Sequence, residues 1–232
     1  QDRLEHPPYD WTGWERELGL FRSNRDAKAT ALEMKTFRET VEKLPQLPKQ
    51  NTEAVCIIPR NYDSWGTAFS AFILAKQAGF DLEFQHVSQP LKDASLYLLP
   101  GLSGDCGISR TEWHSLLEKV RQGATLYVSN NDAIIQPFRT VIGAEVISRQ
   151  ARQNSCLIKA DDEGTHWQFR VNSPHRLNLE AKEASVIGRH ADGQPALLRN
   201  SLGKGEIFFL DGELESAMSA TPGAFAGGET SE

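Results

Sequence analysis

The chain holds 232 residues, 39% of them apolar and 24% charged, an ordinary globular composition with enough length for one large core or two small ones. Its net charge of -6 offers no basic field for nucleic acid or an anionic membrane, and no apolar run approaches the length of a membrane span. Three widely spaced cysteines lack any CxxC and six histidines show no HxxxH or HExxH pairing, so a disulfide framework, a metal site or a cofactor has no motif behind it.

Gln1-Asp-Arg-Leu-Glu-His6 is polar and does not read as a signal peptide, although the lack of an initiating Met leaves room for a leader already removed. Residues 1 to 27 are irregular and rich in aromatics, including Trp11 and Trp14. Ala31, Met34, Phe37, Val41 and Leu44 recur every three to four residues and predict a helix over 28–44, with Asp26 upstream as a cap. Pro45 and Pro48 end it, and a domain boundary is expected near 48.

An α/β pattern follows. Ala54 to Ile58 is a short apolar strand that stops at Pro59. A helix is expected over 64–78, with Ala68, Phe69, Phe72, Ile73 and Ala75 on a wide apolar face, Asp63 or Ser64 as its cap, and Gly79 at its end. Strands are expected at 81–87 and at 96–99, the second broken by Pro100-Gly101. Ser109 and Glu112 form a capping box for a helix over 110–122, whose inner face is Trp113, Leu116, Leu117 and Val120. A strand at 124–128 and a short helix over 134–142 complete this part. Short apolar strands alternating with helices read as a parallel sheet.

From about Ala144 the period changes to two. Strands are expected at 145–149, 155–159, 165–171, 176–179, 185–189, 195–199 and 206–210, with turns at Ala191-Asp-Gly-Gln194 and Ser201-Leu-Gly-Lys-Gly205. Some of these strands are expected to return and extend the first sheet. Residues 216–232 are small and polar and read as a mobile tail. The expected division is therefore 1–48, 49–143, 144–215 and 216–232.

Candidate chemistry is sparse. Arg60-Asn-Tyr-Asp-Ser-Trp65 and Ser129-Asn-Asn-Asp132 both follow strands and share the carboxyl edge, where open α/β sheets hold ligands. Tyr62 and Trp65 suit stacking on a sugar or filling a partner's pocket, and Asp63 suits helix capping. Ser129 and Asn130 suit a polar ligand, or an ordinary strand-to-helix turn. Cys106, in Pro100-Gly-Leu-Ser-Gly-Asp-Cys-Gly107, is the candidate reactive thiol, although no strand leads directly into it as a nucleophile elbow requires. That loop lacks the spacing of a phosphate cradle. Asp161, Asp162 and Glu163 read as a solvated hairpin tip rather than a glycosidase carboxylate pair. Asp10, Glu15 and Glu17, beside Trp11 and Trp14, are better placed for a carbohydrate cleft.

Several stretches resemble a known family. Asp63-Ser-Trp-Gly-Thr-Ala-Phe-Ser-Ala-Phe-Ile-Leu-Ala-Lys-Gln-Ala-Gly79, Leu96-Tyr-Leu-Leu-Pro-Gly101 and Gly123-Ala-Thr-Leu-Tyr-Val128 resemble the class I glutamine-amidotransferase-like domain. The closer likeness is to its version in bacterial glycoside hydrolases, the β-galactosidase trimerisation domain. Gly193-Gln-Pro-Ala-Leu-Leu-Arg-Asn-Ser-Leu-Gly-Lys-Gly-Glu-Ile-Phe-Phe-Leu210 is similar to that domain's closing segment. Pro8-Tyr-Asp-Trp-Thr-Gly-Trp-Glu-Arg-Glu-Leu-Gly-Leu-Phe-Arg22 and the helix after it resemble the last loop and helix of a (β/α)₈ glycosidase barrel.

The resemblance implies a flavodoxin-like, class I amidotransferase-like parallel sheet flanked by helices, with a β-rich C-terminal extension. It implies an accessory, oligomerising part of a bacterial glycoside hydrolase, working beside the catalytic barrel of the same polypeptide, in the periplasm, outside the cell or in the cytoplasm. An active amidotransferase would carry a cysteine after strand 124–128 and a late His–Glu pair. Here the turn reads Val128-Ser-Asn-Asn-Asp132 and no late His–Xaa–Glu follows. The expectation is thus no catalytic residue and a vestigial pocket at Tyr62, Asp63, Trp65, Ser129 and Asn130. A thiol enzyme using Cys106 and a carbohydrate-binding module are the alternatives.

Overall fold

A computed structural model describes residues 19–22, 24–46, 52–60, 64–151, 155–162 and 164–224. The chain divides into two compact units, residues 1–50 and 51–232.

In the first unit, α1 spans Ala29–Val41. Its N-cap is Lys28, without a side-chain cap, and Asp26 instead accepts a hydrogen bond from the Asn24 amide at 2.6 Å. The capping role expected of Asp26 is therefore not found. None of the helix's residues is buried. Met34, Phe37 and Val41 form an exposed apolar stripe at helical spacing, continued by Leu44 just past its end.

The second unit is built on one nine-stranded sheet. Its parallel half comprises β1 (Ala54–Ile58), β2 (Leu82–His86), β3 (Leu96–Leu102), β4 (Thr125–Asn130) and the last strand, β11 (Gly205–Asp211). Its antiparallel half comprises β10 (Pro195–Leu202), β9 (Ser185–His190), β6 (Cys156–Asp162) and β7 (Thr165–Val171). The spatial order is β2-β1-β3-β4-β11-β10-β9-β6-β7. A separate antiparallel ribbon pairs β5 (Ala144–Ala151) with β8 (His175–Ala181). The expected parallel sheet is thus the first half of a larger mixed one. The hinge between the halves is β11, parallel to β4 on one side and antiparallel to β10 on the other.

Strand residues alternate between two cores, as a pleated sheet requires. Val55, Ile57, Leu126, Val128, Ile207 and Phe209 join α3 (Arg110–Gln122) and α4 (Phe138–Ile142) in the larger core. Tyr127, Leu197 and Leu210 turn to the other face, into a smaller core with Ile158, Val171 and Leu214. α3 follows its sequence closely. Ser109 and Glu112 close the capping box, Trp113, Leu116, Leu117 and Val120 are buried, and Gly123 ends the helix. Each large buried side chain of that stripe stabilises by about 1.5–3 kcal/mol through burial.

β6 runs on through Asp161 and Asp162, which pair with His166 and Thr165 and are not the hairpin tip expected of them. Four other elements depart further from the sequence reading. β3 runs through Pro100 and Gly101 to Leu102. A register shift there and a left-handed Gly101 (φ 64°) let the backbone turn without leaving the sheet, and the Gly101 N–H finds the Ser129 hydroxyl at 2.8 Å. α4 begins only at Phe138, because Pro137 and the extended backbone it favours before it keep 134–136 out of the helix. α2 (Ser64–Gln77) buries a face shifted from the one expected, keeping Ala75 but not Phe69 or Phe72. Thr67, Ser70, Ala71 and Ala75 are buried, while Trp65, Phe69 and Phe72 are 80%, 47% and 42% exposed. Small residues inside allow close approach to the sheet, and the aromatics are left outside. Finally, α5 (Leu214–Ala220) forms at the start of the stretch read as a polar tail, with Glu215 and Ala217 buried and α2 packed beside it.

Candidate functional site

The carboxyl ends of β1, β3, β4 and β11 place the candidate residues on one edge. Tyr62 and Asp63 lie outside the described residues, as do Trp11, Trp14 and the side chain of Ser64. Trp65, on the first turn of α2, is exposed and stacks on Phe69 with ring centroids 6.4 Å apart.

Ser129 is fully buried, and its hydroxyl is engaged twice. It accepts from the Gly101 N–H at 2.8 Å and donates to Glu215 Oε2 at 2.8 Å. Tyr127, two residues earlier on the same face of β4, also hydrogen-bonds Glu215. Burial pushes the Glu215 carboxyl up. Burial, and then the Glu215 charge, raise the Tyr127 phenol. This Tyr127–Ser129–Glu215 cluster seals the position where the resemblance would put a nucleophile, and among the described residues no histidine is bonded to it.

Asn130 is buried beside it, opposite Asp211 in the ladder, and its Oδ1 meets no partner among the described residues. Asp211 accepts from the Leu177 N–H at 3.1 Å and pairs with His190 Nε2 at 3.2 Å, which ties the β5–β8 ribbon to the sheet edge. Beyond β4, Asp132 accepts from Ser103 Oγ and the Gly104 N–H, both at 2.6 Å, and Arg149 donates to its carbonyl. Burial alone would raise the Asp132 carboxyl, yet these hydrogen bonds hold it below its usual range. Most of this polar apparatus fixes loops.

Among the described residues, two cavities open near this edge. The larger, about 530 Å³, lies between the 102–110 loop with the start of α3 and the 133–137 segment. The smaller, about 290 Å³, lies between 85–91 and α3 and includes Glu112. Arg60 forms a two-pronged ion pair with Glu112, one prong at 2.7 Å, and chiefly through that hydrogen bond lowers the Glu112 carboxyl to about 2. Neither cavity is lined by Trp65, Ser129 or Asn130. The sequence reading did not single out Trp113, Ile135 or Gln136 as cavity wall, or Glu215 as a partner of Ser129. A tryptophan on a buried helix stripe reads as core, and Glu215, the last residue before the expected tail, lies in no motif that would pair it with Ser129.

Cys106 is exposed, and its thiol is raised, first by its hydrogen bond to Asp105 and then by that carboxylate's charge. A reactive thiolate needs the opposite shift. Cys56 is buried in β1 and its thiol is raised by burial. Among the described residues no cluster of three His, Cys, Asp or Glu side chains forms, and no helix is long and apolar enough to cross a membrane.

No protein-family model matches the chain, and neither does any curated protein sequence. Solved structures do. An exo-β-1,4-mannosidase from Opitutaceae bacterium strain TAV5 matches with TM-score 0.71 and 21% identity over 93% of this chain and 40% of its own. A β-galactosidase from the Antarctic haloarchaeon Halorubrum lacusprofundi matches with TM-score 0.62 and 14% identity, over 87% of this chain and 34% of its own. A GH42 β-galactosidase from G. stearothermophilus matches with TM-score 0.61 and 14% identity over the same shares. The chain therefore spans about a third to two-fifths of the length of these enzymes, and at such identities the likeness is one of fold.

Proposed function

We propose that the chain is a non-catalytic accessory domain of a glycoside hydrolase. On this reading it is amidotransferase-like, of the β-galactosidase trimerisation type. It packs against the catalytic barrel of the same polypeptide and joins copies into a homo-oligomer. The observation that carries the reading is Ser129. Where an active amidotransferase keeps a cysteine, this chain has a buried hydroxyl committed to Gly101 and Glu215. Support also comes from the similar solved structures, which are glycoside hydrolases two and a half to three times longer than the shared fold. Residues 1–48 are then the end of the barrel, and the α/β domain begins near residue 49.

Two exposed apolar stripes give the reading its surfaces. Met34, Phe37, Val41 and Leu44 on and after α1 are assigned to the catalytic body, since a helix with no buried residue needs a partner for its apolar side. Trp65, Phe69 and Phe72 on α2 are assigned to a second copy, because large aromatics supply most of the energy at such contacts. Light scattering on the purified chain tests this. The expected mass is a multiple of 25.8 kDa, falling to 25.8 kDa when W65S and F69S are combined. A parent chain that is monomeric at high concentration would remove oligomerisation from the proposal.

The exposure of Trp65 also favours a second reading, a carbohydrate-binding module that stacks a sugar on the Trp65–Phe69 pair. Titration with soluble glycans, followed by tryptophan fluorescence, separates the two. A saturable response abolished by W65S would favour binding over assembly.

A further inference from the structure

From Trp65 to Lys76, the exposed residues of α2 are Trp65, Phe69, Phe72 and Lys76, and every other residue of that span is buried or half-buried. Steps of four, three and four residues bring these side chains within about 60° of one another around the helix. They form one narrow ridge of three aromatic rings and an ammonium, unlike the polar outer face of an ordinary surface helix. Its members already touch within one copy. Trp65 stacks on Phe69, and Lys76 Nζ lies 5.7 Å from the centroid of the Phe72 ring. Asp81 pairs with the same ammonium and holds it at the end of the ridge. The platform beneath is firm, with Thr67, Ser70, Ala71 and Ala75 buried.

The ridge is self-complementary. Trp65 and Lys76 lie equally far along the helix from the point between residues 70 and 71, and so do Phe69 and Phe72. A contact about a two-fold axis asks for this symmetry, because residue i meets j and j meets i. Two copies of α2 laid antiparallel across that point bring Phe69 of each onto Phe72 of the other, and Trp65 of each onto Lys76 of the other. Alternating three- and four-residue spacing is the seam of helices packed at a shallow angle. A parallel pair in register would instead set lysine against lysine.

We propose, resting on the oligomer reading above, that α2 pairs with α2 of a second copy, antiparallel about a two-fold axis. The Phe69–Phe72 contacts form the centre, and a Lys76 ammonium lies over each Trp65 indole at the ends. An indole offers the best aromatic face to a cation. The aromatic rings supply the attraction, and the lysine sets the direction by penalising the parallel arrangement.

Sedimentation equilibrium of the whole chain, with circular dichroism to confirm the fold, tests the pairing. The expected species is a pair whose dissociation constant rises about tenfold in Lys76→Glu. The exchange of Trp65→Lys with Lys76→Trp keeps every contact across a two-fold axis, so it should bring affinity back towards the parent's, whereas Trp65→Lys alone should not. Cross-linking covers the case in which the exchange variant folds poorly. With the exposed Cys106 replaced by serine, a Trp65→Cys chain mixed with a Lys76→Cys chain should form a disulfide faster than either chain does with itself. No recovery in a folded exchange variant, or Trp65→Cys joining itself as fast as the mixture, would overturn the antiparallel pair. An assembly of three copies, or one undiminished in Lys76→Glu, would overturn it too and leave the oligomer reading standing. A single copy at every concentration would overturn both, and would leave the ridge to a sugar or to the catalytic body.

Discussion

The hydroxyl of Ser129, at the end of β4, donates to the carboxyl of Glu215 on α5 at 2.8 Å, across 86 residues of chain. With the Gly101 N–H donating to the same hydroxyl, the bond links β3, β4 and α5 at one buried point. Ser129→Ala should cost about 1–3 kcal/mol, because it leaves a buried amide and a buried carboxyl each short of a partner. Urea unfolding measures it. An unchanged midpoint would show that the cluster does not hold α5 in place.

The same carboxyl should give stability a dependence on pH. Burial raises Glu215 above its ordinary value near 4.5, so the folded chain keeps this proton to higher pH than the unfolded chain. Its contribution is complete below that ordinary value and is lost as pH rises through the raised one. Glu215→Gln stays neutral throughout. Unfolding free energy against pH should therefore fall less steeply above pH 4.5 in Glu215→Gln than in the parent. Parallel curves would contradict the shift.

Glu112 should act in the opposite sense. Held down to about 2, mainly by Arg60, it contributes stability that is present above its ordinary 4.5 and lost as pH falls towards 2. Glu112→Gln should flatten the acid limb over that range, though not completely, because Asp132 is also lowered. Acid unfolding followed by circular dichroism reads the difference. An acid limb identical to the parent's would count against the ion pair.

Gly205, which closes the Gly-Lys-Gly turn before β11, has no room for a side chain. A Cβ there would lie 2.1 Å from the Ala124 carbonyl oxygen and 2.3 Å from that of Val120. Both are backbone atoms at the end of α3 and the start of β4, so neither can swing away. Gly205→Ala should destabilise by about 1–3 kcal/mol or prevent folding. A thermal midpoint within a degree of the parent's would contradict this.

Where local chemistry and burial agreed, the sequence was legible to the residue. β1 and α3 are bounded as expected, because an apolar run ending at a proline and a Ser–Glu capping box each carry their own stop and start. Legibility failed where a distant partner decides. The hydrophobic pattern of α2 favours burial of Phe69 and Phe72, yet the sheet and α5 take the small face. Pro100-Gly101 reads as a break, yet the Ser129 hydroxyl rescues it as a bulge. α5 looks too polar to pack until Tyr127 and Ser129 receive Glu215. The candidate site shows the same limit. Ser129 and Asn130 were found at the sheet edge from their spacing, but their burial, and the cavity walled by Trp113 and Ile135, follow from tertiary contacts that no local pattern encodes.

The most direct test of the accessory-domain account is a rate measurement on the purified chain with a panel of nitrophenyl glycosides that includes β-mannoside and β-galactoside. The account predicts release of nitrophenol no faster than in buffer, at every substrate and from pH 4 to 9. Turnover at enzyme-like rates that is lost in a single variant, Glu215→Gln or Ser129→Ala, without loss of fold would contradict it.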